Sequence, residues 1–431
     1  MSSAYHTGEV VVKSIAFLAL LVAPAMAGHW DVEKVDSAGW GAAVDMRWHP
    51  DGRLFLCYSD TSGIIRLASK DSIWSYEELP QWRPVLPGTQ AFDIDRRGNI
   101  GVSYVGTDYQ GWYVLRADTG WVDIQTPFYP FFPPLTTFDT AGAPAITVQT
   151  GDAYALARFW DAAWVTCILK IGDPSWHPWF GGCALGSGND GVIWGVFWYS
   201  YSWPKLDVDG MDLFSFHLRD TVVTVNPIAG GYFSAIGAAS GCVDRQGSVH
   251  SCYRYKPMSG SGAFYLDQTQ IDTVLVHFTT VEFDALDRPQ VAYVPWEGGL
   301  LYRYLDAGVW HIFDLQTTGV TALSLIIGEN LQPLIAYTTS DGVFLAHGIG
   351  VTGQSEEQRG PNVVGSGLIA TVARNVLLLP ISFSSTHTSL FDTNGRRVAD
   401  LRSGPNDVSR LVPGVYFVRE AQAVRKVVIT R

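Results

Sequence analysis

The chain has 431 residues, of which 47% are hydrophobic and 16% are charged, and its formal net charge is −12. This length provides a large core, and the acidic balance argues against nucleic acid as a partner. The 44 glycines and 13% aromatic residues suit short twisted strands joined by tight turns.

The first 27 residues have the pattern of an export signal. Lys13 precedes the apolar run from Ile15 to Val22, and the small residues Ala25 and Ala27 form a cleavage site before Gly28. The sequence therefore predicts a signal peptide over residues 1–27, although the run could instead be a buried strand. No later apolar run is long enough to span a bilayer, so the mature chain is not predicted to be membrane-spanning.

A sequence motif of about fifteen residues recurs seven times within residues 28–350. Each copy has a turn residue and, in all but one copy, an aromatic residue six positions later. The turn positions are Gly52, Gly98, Gly142, Gly191, Gly247, Asp287 and Leu331. Their spacing of 40 to 56 residues is typical of β-propeller blades. The sequence therefore predicts an all-β, seven-bladed propeller of four-stranded blades.

The seventh copy lacks a fourth strand. Most earlier copies continue into a strand led by a tryptophan, as at Trp121 and Trp310, but the seventh stops near residue 348. The N-terminal segment beginning at Trp30 has the same character, so we expect it to complete the last blade and close the ring. The recurring tyrosine near the end of each second strand is predicted to be a packing residue.

Two further patterns concern turns and cysteines. An aspartate stands three positions before four of the turn residues and is predicted to cap those turns; these are Asp95, Asp139, Asp244 and Asp284. Cys242 and Cys252 flank the turn at Gly247 symmetrically, so a disulfide across that hairpin is one possibility in an exported protein. Two free thiols are the alternative.

The composition changes after the repeats. Residues 351–365 are polar and are predicted to form a linker. Residues 366–431 contain short apolar segments separated by turns, which predict a small immunoglobulin-like β-sandwich.

This C-terminal region resembles the sorting domain that the bacterial type IX secretion system recognises. Three motifs carry the resemblance in order: residues 390–398, which contain Asp392, Gly395 and Arg396; residues 411–418, which contain Pro413, Gly414 and Tyr416; and residues 425–431, which contain Lys426. The resemblance implies that the secretion machinery is a partner of residues 366–431. It also implies a secreted or cell-surface location in a Gram-negative-type bacterium.

The connections into blades three and four are rich in aromatic and proline residues, and so is a predicted loop insert in blade four, residues 198–209, before Gly210 opens the third strand. Strand directions place them all on the propeller face that carries the longer loops. They form either a recognition surface for a glycan or protein, because aromatic rings stack on sugars, or a plug over the channel. The residues predicted to bind ligand are Phe131, Trp176, Trp179, Trp198, Tyr201 and Trp203.

Metal and catalytic motifs are weak. Asp207, Asp209 and Asp212 resemble a short acidic calcium turn without the rest of a calcium loop, and no metal or other cofactor is predicted. Carboxylates such as Asp60, Asp108 and Glu297 fall on the loop-rich face, but no spacing marks a catalytic pair, and no hydrolase motif occurs.

The sequence therefore favours a binding or interaction module over an enzyme, with carbohydrate or an envelope protein as its ligand. The alternatives are a glycan-active hydrolase or lyase of propeller fold and a structural surface-layer protein.

Overall fold

A computed structural model describes most of the propeller and much of the C-terminal region. The described residues are 28–37, 43–80, 85–117, 120–126, 134–150, 153–160, 163–171, 178–187, 192–203, 206–217, 223–232, 235–256, 262–328, 331–351, 371–373, 376–379, 388–392, 396–401, 404–408, 410–420 and 423–429. They include no helix long and apolar enough to cross a membrane.

Three four-stranded antiparallel sheets follow the first strand, β1 (His29–Asp36). Blade one consists of β2 (Val44–Trp48), β3 (Leu54–Ser59), β4 (Ile65–Lys70) and β5 (Trp74–Glu78). Blade two consists of β6 (Ala91–Ile94), β7 (Ile100–Val105), β8 (Gly111–Ala117) and β9 (Gly120–Gln125). Blade three consists of β10 (Thr136–Phe138), β11 (Pro144–Thr150), β12 (Ala153–Trp160) and β13 (Ala163–Ile171).

Four further sheets complete the propeller. Blade four consists of β14 (Pro178–Ser187), β15 (Val192–Trp203), β16 (Leu206–His217) and β17 (Val223–Tyr232). Blade five consists of β18 (Ala235–Val243), β19 (Val249–Lys256), β20 (Ala263–Leu266) and β21 (Thr269–Asp272). Blade six consists of β22 (Val276–Phe283), β23 (Pro289–Pro295), β24 (Leu301–Asp306) and β25 (Val309–Asp314). Blade seven consists of β26 (Ala322–Ile327), β27 (Pro333–Thr339), β28 (Gly342–Ile349) and β1.

The sheet order confirms the predicted seven-bladed propeller and its closure by the N-terminal strand. β1 pairs antiparallel with β28, so that Trp30 lies opposite Gly348. It also bonds to blade one, because the Tyr58 hydroxyl donates to Asp36 at 2.7 Å. We call this junction between blades seven and one the seam.

The core lies between neighbouring blades. All six residues of β3 are buried, as expected for a strand whose two faces are both covered. On one side of blade one, Met46 and Leu56 pack with Ala336 and Leu345 of blade seven. The side chains of each blade therefore fill the gap to the next.

The tight turns between the first and second strands confirm the predicted caps. Asp284 Oδ1 accepts hydrogen bonds from the backbone N–H groups of Leu286 and Arg288 at 2.8 and 3.0 Å. Asp95, Asp139 and Asp244 make the equivalent pairs of bonds. The turn position adopts positive φ even where it is not glycine, at Asp287 and Leu331. We call the side of the propeller that carries these turns the turn face, and the opposite side the loop face.

The recurring tyrosines are buried as predicted, and they also bond across blades. Tyr293 donates to Asp272 of blade five at 2.6 Å and accepts from Arg303 Nε at 2.7 Å. Tyr58 and Asp36 repeat the tyrosine–aspartate pair at the seam. These hydrogen bonds fasten the loop-face end of a second strand to the outer strand of the preceding blade.

The possible disulfide does not form. Strand register places Cys242 opposite His250 and Cys252 opposite Ser240, so the two cysteines are not cross-strand partners. Both thiols are free and buried. The symmetric spacing about Gly247 was misleading because the turn closes between Asp244 and Ser248.

The C-terminal region forms two sheets. Their strands are β29 (Thr371–Ala373), β30 (Val376–Leu379), β31 (Thr388–Asp392), β32 (Arg397–Leu401), β33 (Gly404–Asp407), β34 (Gly414–Glu420) and β35 (Ala423–Ile429). One sheet has the order β29-β35-β34-β31-β32, and β30 pairs with β33.

The motif residues of this region lie at turns and strands. The Arg396 N–H donates to Asp392 Oδ1 at 2.9 Å, which closes a hairpin. Pro413 precedes β34, which Gly414 opens, and the Tyr416 hydroxyl donates to the Val412 carbonyl at 2.6 Å. Lys426 pairs with Phe417 in register, and Gly395 lies outside the described residues.

Candidate functional site

Blade four differs from the expected arrangement of loops. The sequence predicted residues 198–209 as a loop insert and Gly210 as the start of the third strand. Instead, β15 and β16 form one long hairpin whose last pair is Trp203 and Leu206, and Gly210 lies inside β16. The first strand extends alongside them, with Trp179 opposite Ser200. The insert therefore lengthens the sheet.

This register separates the residues that were predicted to bind ligand. Positions 179 and 198 belong to one face of the blade, whereas positions 201 and 203 belong to the other, because adjacent residues of a strand alternate between faces. Trp198 is half-buried. Phe131 and Trp176 lie outside the described residues.

The three aspartates of the calcium hypothesis also lie on a strand. Asp207, Asp209 and Asp212 fall within β16. Adjacent positions of a strand alternate between its two faces, so position 212 belongs to the opposite face from positions 207 and 209. Asp212 is buried and accepts a hydrogen bond from Lys170 Nζ at 2.6 Å. The three aspartates therefore belong to a strand of blade four, and Asp212 fastens this blade to blade three.

A cavity of about 870 Å³ opens on the turn face at the seam. We call it the seam cleft. Its lining residues come from blades one, six and seven: Trp48, His49, Pro50, Gly52, Leu54, Lys70, Asp71, Phe283, Ala285, Ile327, Gly328, Gln332, Leu334 and His347. Its volume lies within the range of small-molecule and cofactor sites.

The seam cleft coincides with a departure from the regular turns. Where blades two, three, five and six have a capping aspartate, blade one has His49 and blade seven has Gly328, and both line the cleft. His49 Nδ1 accepts from the Asp51 N–H at 3.2 Å, and its Nε2 lies 3.2 Å from the Gly98 carbonyl of blade two. Two neighbouring turns without a cap carboxylate thus border the cavity.

A polar cluster forms part of its wall. Glu33 of β1 binds Lys70 of blade one, accepts from Trp74 Nε1 at 3.4 Å and lies 3.1 Å from His347 Nε2. Burial alone would raise the pKa of Glu33, but the hydrogen bonds from Lys70 and His347 lower it below its ordinary value. Glu33 thus stays ionised and holds Lys70 and His347 in place.

The apolar part of the wall includes one exposed aromatic ring. Trp48 ends β2 and is 42% exposed. An indole at the rim of a cavity with polar groups on the far wall suits a ligand that has one apolar face and several hydroxyl groups.

The loop face carries a second aromatic group, which we call the loop-face platform: Arg254, His277, Phe278 and Trp296. The Trp296 and His277 rings stack with centroids 5.5 Å apart and an interplanar angle of 22°. Trp296 and Phe278 are 49% and 37% exposed. These residues belong to blades five and six. They were not among the residues that the sequence analysis predicted to bind ligand.

The central channel contains a charged group. Its cavity of about 270 Å³ is lined by the first strand of every blade. Arg47 donates to Asp45 at 2.6 Å and to Asp93 at 3.3 Å, while burial raises the pKa of the nearby Glu282 to about 7. Arg47, Asp93 and Glu282 each lie five positions before their turn residue, so the repeat itself brings them to one level of the channel.

The sequence contained a signal for one of these features. The aspartate is missing at position 188 as well as at 49 and 328, so its absence alone did not mark the seam cleft, whereas the charged residues at one repeat position pointed to the channel. Pattern alone did not show that the first and last repeats meet there. Among the described residues, no group of three His, Cys, Asp or Glu side chains is placed to hold a metal ion.

No protein-family model and no curated protein matches the chain. Several solved structures are similar to it. The BP39L lectin from Burkholderia pseudomallei is 13% identical over 74% of this chain and 97% of that chain, with a TM-score of 0.50. AofleA from Arthrobotrys oligospora is 11% identical over 68% of this chain and 91% of that chain, with a TM-score of 0.40. The polysaccharide lyase Uly1 is 10% identical over 73% of this chain and 91% of that chain, with a TM-score of 0.46. At such identities the likeness to the lectin concerns the propeller fold.

Proposed function

We propose that this protein is an exported propeller that binds carbohydrate in the seam cleft. The observation that carries the proposal is the cavity of about 870 Å³ with the exposed Trp48 ring on one side and Lys70, Gln332 and His347 among its polar lining. A pyranose presents an apolar C–H face to an aromatic ring and hydroxyl groups around its edge. A bacterial lectin that shares the fold makes it reasonable that such a scaffold holds a sugar.

The test is a glycan array with the mature chain, followed by calorimetry on the best neutral glycan. We expect Trp48→Ala to weaken binding at least about tenfold, because losing a tryptophan that packs on the ligand commonly costs more than about 1.4 kcal/mol. Trp296→Ala is the matched control, since that ring is similarly exposed but lies on the loop face.

Three outcomes separate the possibilities. Loss of binding only in Trp48→Ala, with unchanged melting temperatures, supports the seam cleft. Loss only in Trp296→Ala would keep the glycan-binding function and reject the cleft as its site. An array without any bound glycan contradicts the proposal and favours a protein ligand or a structural role.

We also propose delivery by the type IX secretion system, carried by the sorting motifs in residues 366–431 and by the predicted signal peptide. The hydrogen bond from the Arg396 N–H to Asp392 holds two residues of the first motif side by side, where a receptor would contact them. Deletion of residues 366–431 should leave the protein in the periplasm of a host that has the system. Export of the shortened protein at the normal rate would refute this.

A glycan-active enzyme is the second candidate, and Glu282 is the observation that favours it. A carboxyl group with a pKa of about 7 inside a channel is suited to general acid catalysis near neutral pH. Release of new chain ends from a polysaccharide, lost in Glu282→Gln, would support this function. Full turnover by that variant would exclude Glu282 from the reaction.

A further inference from the structure

The loop-face platform is held in place by two connected segments. His277 is the extra residue of a β-bulge in β22, between Val276 and Phe278, and bulges often redirect a side chain next to a site. The N–H of Trp296 donates to the Leu275 carbonyl at 2.9 Å, which ties the loop after β23 to the start of β22. The stacked rings therefore have a defined position on the surface.

Arg254 lies against this stack, and none of the described acidic side chains pairs with it. Its guanidinium carbon is 5.4 Å from the Trp296 ring centroid, and Nη1 donates to the Val276 carbonyl at 3.3 Å. The side chain is half-buried, and burial lowers its pKa, with no opposing carboxylate.

Other half-buried arginines of the propeller differ in this respect. Each of them pairs with an aspartate or glutamate: Arg47, Arg66, Arg158, Arg288 and Arg303. A partly desolvated cation without a counter-ion is unfavourable, and a bound anion would relieve that cost. Among the described residues, Arg254 stands out as a half-buried arginine whose guanidinium forms no ion pair.

The space beside the platform can accept a small ring. A cavity of about 240 Å³ lies at this end of the channel, where His277, Phe278 and Thr279 form one side and the first strands of blades one, five and seven form the rest. Phe278 supplies exposed apolar surface within it, and the Trp296 ring stacks on His277 of the lining.

We infer that the loop-face platform is a second binding site, distinct from the seam cleft, for an anionic saccharide. The carboxylate or sulfate of the sugar pairs with the Arg254 guanidinium, and the apolar face of its ring packs on Trp296. The protein carries a net charge of −12, so general electrostatic attraction would not bring such a ligand to it. Recognition therefore depends on the local guanidinium.

Glu297 provides an internal check on this inference. It is exposed and follows Trp296 directly in the chain, so we expect its charge to oppose an anion bound beside Trp296. Removing that charge should strengthen anion binding, whereas a purely apolar platform would not respond to it.

The experiment measures binding of glucuronate, glucose 6-sulfate, glucose and inorganic sulfate to the mature chain by calorimetry at low salt. We expect at least one of the two anionic sugars to bind at least about tenfold more tightly than glucose, because glucose cannot form the charge-assisted hydrogen bonds with the guanidinium. The better of the two identifies the anion as carboxylate or sulfate. Binding of inorganic sulfate as tight as that of glucose 6-sulfate would overturn the role of the ring.

Four variants complete the test. Arg254→Gln should abolish the preference for anionic sugars, Trp296→Ala should weaken the anionic sugars but not inorganic sulfate, and Glu297→Gln should strengthen the anionic ligands. Trp48→Ala should weaken any binding of neutral glucose in the seam cleft and leave the preference for anionic sugars in place, which separates this site from the proposed function of the seam cleft.

Undiminished binding of the anionic sugars to Arg254→Gln, equal binding of glucose, or no binding by any probe would overturn the inference. If Arg254→Gln does not fold, Arg254→Lys and Glu297→Gln keep it testable. A lysine lacks the planar fork that pairs with a carboxylate, so Arg254→Lys should also lose affinity.

Discussion

The tight turns of blades six and seven have the same backbone but different side chains. In blade six, Asp284 N donates to the Arg288 carbonyl at 3.1 Å, and Asp287 N donates to the Asp284 carbonyl at 2.9 Å. In blade seven, Gly328 and Leu331 make the same two bonds, to Gln332 and Gly328, at 2.9 and 3.0 Å.

The difference lies in the cap. Asp284 fills its turn with a buried carboxylate that also binds Arg288 Nε and Gln290 Nε2, whereas Gly328 has no side chain and lines the seam cleft. The fold therefore does not need every cap, because the backbone bonds form without it. A turn without a capping side chain, as at Gly328, leaves space that becomes part of a cavity.

The largest expected effect comes from deleting residues 28–36, which removes the seam itself. The deletion exposes the edge of β28 and removes Glu33 and the Tyr58–Asp36 bond. We expect a loss comparable to the whole stability of a domain, about 5–15 kcal/mol, and therefore aggregation or a broad thermal transition by circular dichroism.

A synthetic peptide of residues 28–37 should restore a sharp transition, which separates loss of the strand from a general folding defect. A melting temperature unchanged by the deletion would show that closure of the ring contributes little. The contrast between the seam and the other blade junctions would then have no energetic basis.

Removal of a cap tests the blade-six side of the comparison. Asp284→Ala leaves two turn N–H groups and the Arg288 side chain short of an acceptor in a buried position. We expect it to lower the free energy of unfolding by about 2–4 kcal/mol in chemical denaturation.

Asp244→Ala is the matched control, because Asp244 makes the same two turn bonds but its side chain is less buried. It should cost only about 1 kcal/mol. Equal losses in the two variants would mean that the turn bonds matter and the burial of Asp284 does not.

Most of the fold was predictable because the repeat is a local pattern. The turn residue and the second strand recur in each copy, and the capping aspartate recurs in four of the seven. The missing fourth strand in copy seven was enough to assign β1 to that blade. The strand boundaries of blade four were not predictable in this way. A longer hairpin and a longer loop add the same number of residues between the turn residue and the glycine that was expected to open the third strand.

The sites were harder to predict because they depend on which repeats meet. Lys70, His347 and Glu33 come from three distant segments and converge only when the ring closes. Arg254 had no visible signal, since its lack of an acidic partner is a property of the surroundings. The aromatic residues of blades three to five drew attention by composition, and composition does not fix the face on which a side chain lies.

A pH-dependent test concerns Glu282 in the central channel, which extends from the turn face to the loop face. The pKa of Glu282 is raised from 4.5 to about 7 by burial, so the folded protein binds a proton that the unfolded chain releases. The free energy of unfolding should therefore fall as the pH rises from about 4.5 to 7.

Glu282→Gln should remove this fall and stabilise the protein at pH 8 by at most about 3 kcal/mol, with little change at pH 4. Thermal melts across this pH range measure the effect. Glu297→Gln is the control, because that carboxylate is exposed. Parallel pH profiles for wild type and Glu282→Gln would mean that the burial of Glu282 does not control its ionisation.

The smallest change installs the missing cap. The nearest atom to a Cβ at position 328 is the Gln332 carbonyl oxygen at 3.4 Å, so an aspartate fits there. Its carboxylate would accept from the Gln332 N–H, as Asp284 does from Arg288, and would enter the seam cleft. Gly328→Asp should therefore raise the free energy of unfolding by about 1 kcal/mol while weakening glycan binding. Gly328→Ala, which lacks the carboxylate, should change binding little. If Gly328→Asp were more stable and still bound the glycan normally, the missing cap would not be what opens the site.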